Sequence, residues 1–181
     1  MNVKSIKYAL LIGAVIIVGI IFYGWVTANA EKEYALQIME LMTAQSRMEL
    51  NVNLSYVWEQ NISLSDNLET SERCEGIKVV STYTLKNYYR AISLNVPHSN
   101  ILQYKHEIVR SYLDDTYKGY RAMYGVCLSS SEDFRSTLLR ESRIYMDRSN
   151  DVFYSLLIPL MSEWKLKYPE ETKSIRDKYF N

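Results

Sequence analysis

Proline, glycine, cysteine and histidine are all scarce in this chain, with 3, 6, 2 and 2 copies among 181 residues. So few glycines and prolines exclude a collagen-like or low-complexity chain. No glycine-rich phosphate loop or dinucleotide fingerprint occurs either. Two cysteines are too few for a disulfide-scaffold miniprotein or a four-thiolate zinc site. Charge of one sign is not in excess, because 21 basic residues face 21 acidic ones. A nucleic-acid binder carries a clustered basic surplus, so no nucleic-acid partner is expected.

Catalytic signatures are missing as well. His106-Glu107 begins like a zincin helix, but Arg110 stands where the second histidine one turn on must fall. His106 therefore reads as a half-exposed helix residue. Ser129–Ser131 lacks the flanking glycines of a nucleophile elbow and reads as a helix cap. The pairs Asp114/Asp115 and Glu132/Asp133 point about 100° apart on a helix and read as solvated faces rather than as acid–base pairs. No catalytic, cofactor-binding or metal-ligating residue is assigned, and the chain is not expected to be an enzyme.

What is present in quantity is apolar sequence at the amino terminus. Tyr8 to Val26 (YALLIGAVIIVGIIFYGWV) carries no charge. As a helix it would measure about 28 Å, close to the roughly 30 Å hydrocarbon core of a bilayer. Lys4 and Lys7 precede it, and Tyr23 and Trp25 sit where interfacial aromatics lie. Ala28-Asn29-Ala30 before Glu31 also fits a cleavable export signal. The apolar run exceeds a signal's usual core, so the reading adopted is a retained signal-anchor. Residues 1–7 form a short basic cytoplasmic tail, 8–28 the transmembrane helix, and 31–181 a single extracytoplasmic domain, periplasmic in a bacterium. The spacings Ala9/Gly13 and Gly24/Ala28 match small-xxx-small pairs, which are common in such helices by chance.

The rest of the chain is expected to be mainly α. Residues 31–49 place apolar side chains at helical spacing with no glycine or proline, which predicts a stalk helix continuing out of the bilayer. Leu50, Val52, Leu54, Tyr56 and Trp58 alternate with polar residues, and so do Ile77, Val79, Ser81, Tyr83 and Leu85. These runs predict either a small two-stranded β element over 50–58 and 77–85 or an extension of the stalk. Residues 59–76 read as a polar, acidic loop. The sequons at Asn53 and Asn61 carry meaning only in a eukaryotic secretory protein. A short helix is expected over 86–94, stopped by Pro97, and then a long one capped by Asn100. Ser129–Ser131 opens the next, Asn150-Asp151 another, which Pro159 must kink or restart, and Pro169 with Glu170 and Glu171 a terminal one.

Two features point outward. Cys74 and Cys127 are expected to pair as one disulfide if the domain is exported. Among the 16 tyrosines, Tyr88-Tyr89-Arg90 and the series Tyr112, Tyr117, Tyr120 and Tyr124, interleaved with Lys118 and Arg121, gather amphipathic rings. Such amphipathic rings suit a protein interface or sugar stacking. The expected interaction surface is Tyr88, Tyr89, Arg90, Tyr112, Lys118 and Arg121. The function expected is a membrane-anchored accessory or scaffolding protein that binds other membrane or envelope proteins, homo-oligomers included. The alternative is a tethered or secreted module for a small ligand or glycan, or a sensor.

Overall fold

The computed structural model describes residues 3–51 and 71–180, with side chains from Gly13 in the first stretch and from Cys74 in the second. Its elements are α1 (Val3–Asn51), α2 (Ser71–Ile92), α3 (Asn100–Leu128), α4 (Glu132–Val152), a π-helical turn (Phe153–Leu157), α5 (Ile158–Lys167) and α6 (Pro169–Phe180). There is no strand among the described residues.

Helix α1 is unbroken, because no glycine follows Gly24 in it and no proline interrupts it. Its first part is long and apolar enough to cross a membrane, and none of the described residues covers it. Its second part is not the free stalk that the sequence suggests. Tyr34, Ala35, Ile38, Met39, Leu41, Met42, Ala44 and Gln45 are all buried, so residues 34–45 are the core helix of the domain. A wide apolar stripe asks for partners on several sides, and α2 to α6 supply them.

Those partners alternate in direction around α1. Gln45 bonds Thr84 in α2, and Cys74 joins Cys127 between α2 and α3. Thr116 of α3 meets Ser149 of α4, Lys105 of α3 meets Glu163 of α5, and Glu40 of α1 meets Lys178 of α6. The bundle thus runs down α1, up α2, down α3, up through α4 and α5, and down α6. An upper apolar cluster joins Tyr34–Met42 to Val109, Leu113, Leu157, Leu160 and Trp164. A lower one joins Ile77 and Val80 to Tyr120, Met123, Val126 and Met146, with Met48 against it. Between them lies a polar layer. Gln45 Nε2 donates to Thr84 Oγ1 at 2.8 Å, Asn87 Nδ2 donates to Gln45 Oε1 at 2.9 Å, and the Thr116 and Ser149 hydroxyls share a hydrogen bond.

Close packing of α3 on α4 depends on Gly119. A Cβ there would stand 2.7 Å from Met146 Cγ, and the Gly119 carbonyl accepts from Ser142 Oγ at 2.9 Å. The π turn explains how the chain passes Pro159. Proline has no N–H to give and crowds the carbonyl four residues back. The chain widens by one residue just before it, so that the Ile158 N–H reaches the Phe153 carbonyl.

Several local expectations are corrected. Residues 77–85 are helical, since the buried set Ile77, Val80, Ser81, Thr84, Asn87 and Ala91 follows a helical period that the alternating pattern disguised. Leu50 and Asn51 end α1, and the rest of the run to Trp58 lies outside the described residues. The short helix at 86–94 is the end of α2, and Asn150-Asp151 starts nothing new because α4 runs through it. Ser99, not Asn100, caps α3, its side chain accepting from the Leu102 N–H at 3.5 Å. Pro169 does open α6, with Glu170 and Glu171 in the first turn.

Candidate functional site

The cysteine pair is formed. Cys74 and Cys127 have Cα atoms 5.9 Å apart and are bonded, which ties the foot of α2 to the foot of α3.

The expected interaction residues divide into three groups. Tyr89 and Arg90 are exposed on the outer face of α2, Tyr89 by 60%. With Thr82, Leu85, Lys86 and Ser93 they line a shallow groove of about 520 Å³, and Val79 and Ile92 are exposed on the same helix. Tyr88 is half-buried, with its ring 5.7 Å from that of Tyr89 and its hydroxyl against Arg110. Lys118 and Arg121 lie elsewhere, on α3. Lys118 bonds Asp114 at 2.6 Å and lies over the Tyr145 ring, while Arg121 is exposed. Tyr112 is not on the surface, because its position on α3 turns it into the upper cluster against Phe153, ring centroids 5.6 Å apart.

Tyr112 instead forms a wall of a cleft of about 580 Å³ between the end of α1, α3, α4 and the π turn. Glu49, Tyr120, Ser149, Phe153 and Tyr154 line it too. Glu49 lies one turn below Gln45, whose Nε2 donates to its Oε1 at 2.8 Å, and the Tyr120 hydroxyl bonds it as well. Burial raises the Glu49 carboxyl above the ordinary carboxylate range, against the pull of those two donors. Burial, and then the charge of Glu49, pushes the Tyr112 hydroxyl well up. The cleft therefore offers one protonatable carboxyl, hydroxyls and four aromatic rings. That set can hydrogen-bond and stack on a polar ring or take up a cation. Sequence reasoning passed over Glu49 and the π turn. The available signals were the spacing of Gln45 to Glu49 and a proline within a helical pattern.

His106 is buried rather than half-exposed. Its Nδ1 is 3.0 Å from the Tyr34 hydroxyl, and the two rings lie 6.0 Å apart. Among the described residues no three His, Cys, Asp or Glu side chains gather as a metal site would require. No family model matches the chain, and no curated protein or solved structure shows significant similarity to it.

Proposed function

We propose that this is a single-pass membrane protein, amino terminus cytoplasmic and residues 31–181 extracytoplasmic, acting as an accessory or scaffolding component. Its domain binds other membrane or envelope proteins. The observation that carries this reading is the outer face of α2, where the exposed Tyr89 and Arg90 border an apolar groove flanked by Val79 and Ile92. Large aromatic and arginine side chains around an apolar centre are the composition that protein interfaces favour. The disulfide supports an oxidising compartment for the domain. Lys4 and Lys7 support a cytoplasmic amino terminus.

The test is photo-crosslinking in native membranes from position 89, with purification of the full-length chain in detergent. A discrete adduct is expected, together with a stoichiometric partner that Tyr89→Ala with Arg90→Ala releases without lowering the melting temperature. A monomer that crosslinks to nothing overturns the reading.

The cleft at Glu49 favours a second one, a tethered module for a small ligand or glycan. A thermal-shift screen against cell-wall fragments and metabolites checks it, because a ligand stabilises the state that binds it. Tyr154→Ala, at an exposed position in the wall, should abolish any shift found.

A further inference from the structure

The upper end of the domain carries apolar side chains that no part of the described chain covers. Ile101 is 67% exposed, Tyr104 63% and Leu166 85%. They lie on different elements, the start of α3 and the end of α5, yet both elements end beside the point where α1 enters the domain. Asn95 and Pro97 share a small cavity with Ala30, Glu33 and Tyr34. Lys167 Nζ bonds Glu31 at 2.8 Å, Lys32 pairs with Glu171, and both lysines stand over the Tyr168 ring.

Contacts fix how high each exposed side chain stands. The Tyr34–His106 hydrogen bond sets α3 parallel to α1, which places Ile101 level with Asn29 and Tyr104 level with Lys32. The Tyr34–Trp164 edge contact and the Lys167–Glu31 pair set α5 antiparallel, which places Leu166 level with Lys32. Val26 is the last residue of the apolar run. Three and six residues of helix beyond it amount to roughly 4 and 9 Å. The headgroup layer outside the hydrocarbon is about 5–8 Å deep on each side. The side chains of α3 also lean toward its amino terminus, which is toward the membrane, whereas those of the antiparallel α5 lean away from it.

We infer that the upper end of the domain rests in the headgroup layer of the bilayer that α1 crosses, with Ile101 and Tyr104 reaching the lipid and Leu166 at its outer edge. The inference rests on reading α1 as a membrane span, and it adds a second contact with the same bilayer. Lys32, Lys105 and Lys167 at this level are engaged by Glu171, Glu163 and Glu31, and the exposed Lys165 adds one basic group to an otherwise apolar, interfacial contact. One consequence is orientation. Glu49 lies 23 residues beyond Val26, so a docked domain holds its cleft about 34 Å from the hydrocarbon.

The experiment uses the full-length chain with its disulfide intact, in vesicles of phosphatidylcholine with one quarter phosphatidylglycerol. An environment-sensitive fluorophore is attached at one site per protein, through Ile101→Cys, Tyr104→Cys, Leu166→Cys, Ile17→Cys or Leu128→Cys. Leu128 is as exposed as Ile101 but sits at the opposite end of α3, and so controls for unspecific adsorption. Quenching is read with a nitroxide carried by the lipid either near the headgroup or near the chain terminus. The expected result is deep quenching at 17, shallow quenching at 101 and 104, weaker shallow quenching at 166, and none at 128. Deep quenching at 17 with 101, 104 and 166 as unquenched as 128 overturns the docking and leaves the span standing. No quenching at 17 overturns the span and the docking with it.

Discussion

From Val15 to Val26 the large apolar side chains of α1 are exposed all round, whereas from Tyr34 to Gln45 of the same helix a broad stripe is buried to the last few per cent. The backbone is identical in both halves, so the difference lies in what surrounds them. All-round apolarity suits a helix whose neighbours are lipid, and a stripe suits one whose neighbours are other helices. Polar groups follow the same division. In the upper half the Thr27 hydroxyl bonds back to the Tyr23 and Gly24 carbonyls, at 2.9 and 3.0 Å, and so needs no outside partner. In the lower half Gln45 and Tyr34 find theirs on other helices. The glycines divide likewise, since Gly13, Gly19 and Gly24 face open space while Gly119 is held by its neighbours. One unbroken helix thus joins the candidate membrane span directly to the core of the domain.

The widest contrast is between one carboxylate placed in each half. Ile38→Asp buries an unpaired charge at a fully enclosed site. That should cost more than about 4 kcal/mol and abolish the cooperative melt of the domain. Ile17→Asp, at the centre of the apolar run, should leave the melt unchanged and weaken membrane insertion by about 3 kcal/mol. Circular dichroism in detergent and a membrane-integration assay read the two effects separately. Equal melting of both variants would break the division of α1 into two halves.

Next in size is the disulfide. Cys74 and Cys127 stand 53 residues apart. Closing a loop of that length stabilises by about 4 kcal/mol in the chain-entropy model and often by less. Cys74→Ser with Cys127→Ser should therefore lower the melting temperature. Amide exchange should rise most at the feet of α2 and α3, around Ile77, Val80 and Val126, and less at residues 34–42, while insertion of the upper half is unchanged. Uniform loss of protection would show that the two apolar clusters unfold as one.

Much of this division was legible in the sequence. The apolar run, the uninterrupted helix to residue 49, the cysteine pair and the long α3 all follow from period, length and the positions of glycine and proline. What was hidden is tertiary. A stripe on residues 34–45 says that the helix has a buried face but not that its own domain supplies the cover. The run at 77–85 fits two periods, and only contact with Gln45 and the lower cluster selects the helical one. Tyr112 and His106 look like surface residues because tyrosine and histidine usually are. The register that buries them is set by α1, seventy residues away. The cleft was illegible because its walls come from three distant segments, with Glu49 contributed by the end of a helix that reads as a tether.

A smaller effect is expected in the polar layer. Gln45→Ala leaves Thr84 and Asn87 without their shared partner in a buried place. It should cost about 1–3 kcal/mol in chemical denaturation. The matching change in the upper half, Thr27→Val, removes only a self-satisfied hydroxyl and should change domain stability by less than about 0.5 kcal/mol. A comparable loss from both would mean that the upper half is also part of the cooperative unit.

The smallest effect tests the first core contact beyond the apolar run. His106 is buried, and its pKa is lowered by burial first, with Arg110 adding to this and Glu107 opposing it. Burial and the charge of Glu107 raise the Tyr34 hydroxyl, so it stays protonated and shares a hydrogen bond with His106 Nδ1. Protonating His106 places a charge at a buried site beside the upper cluster. Because the unfolded chain takes up the proton first, stability is complete above about pH 6.5 and falls as pH drops toward the lowered folded value. Below that value this group adds no further loss. Glu49 acts in the opposite sense, since its raised carboxyl gives stability that is present at low pH and lost as pH rises through its folded value. Between pH 7.5 and pH 5.5 the loss of melting temperature on acidification should therefore be steeper in Glu49→Gln and shallower in His106→Asn than in the unaltered chain. Each unit of pKa difference corresponds to about 1.4 kcal/mol. A slope unchanged in His106→Asn would assign the acid sensitivity to groups outside the Tyr34–His106 contact.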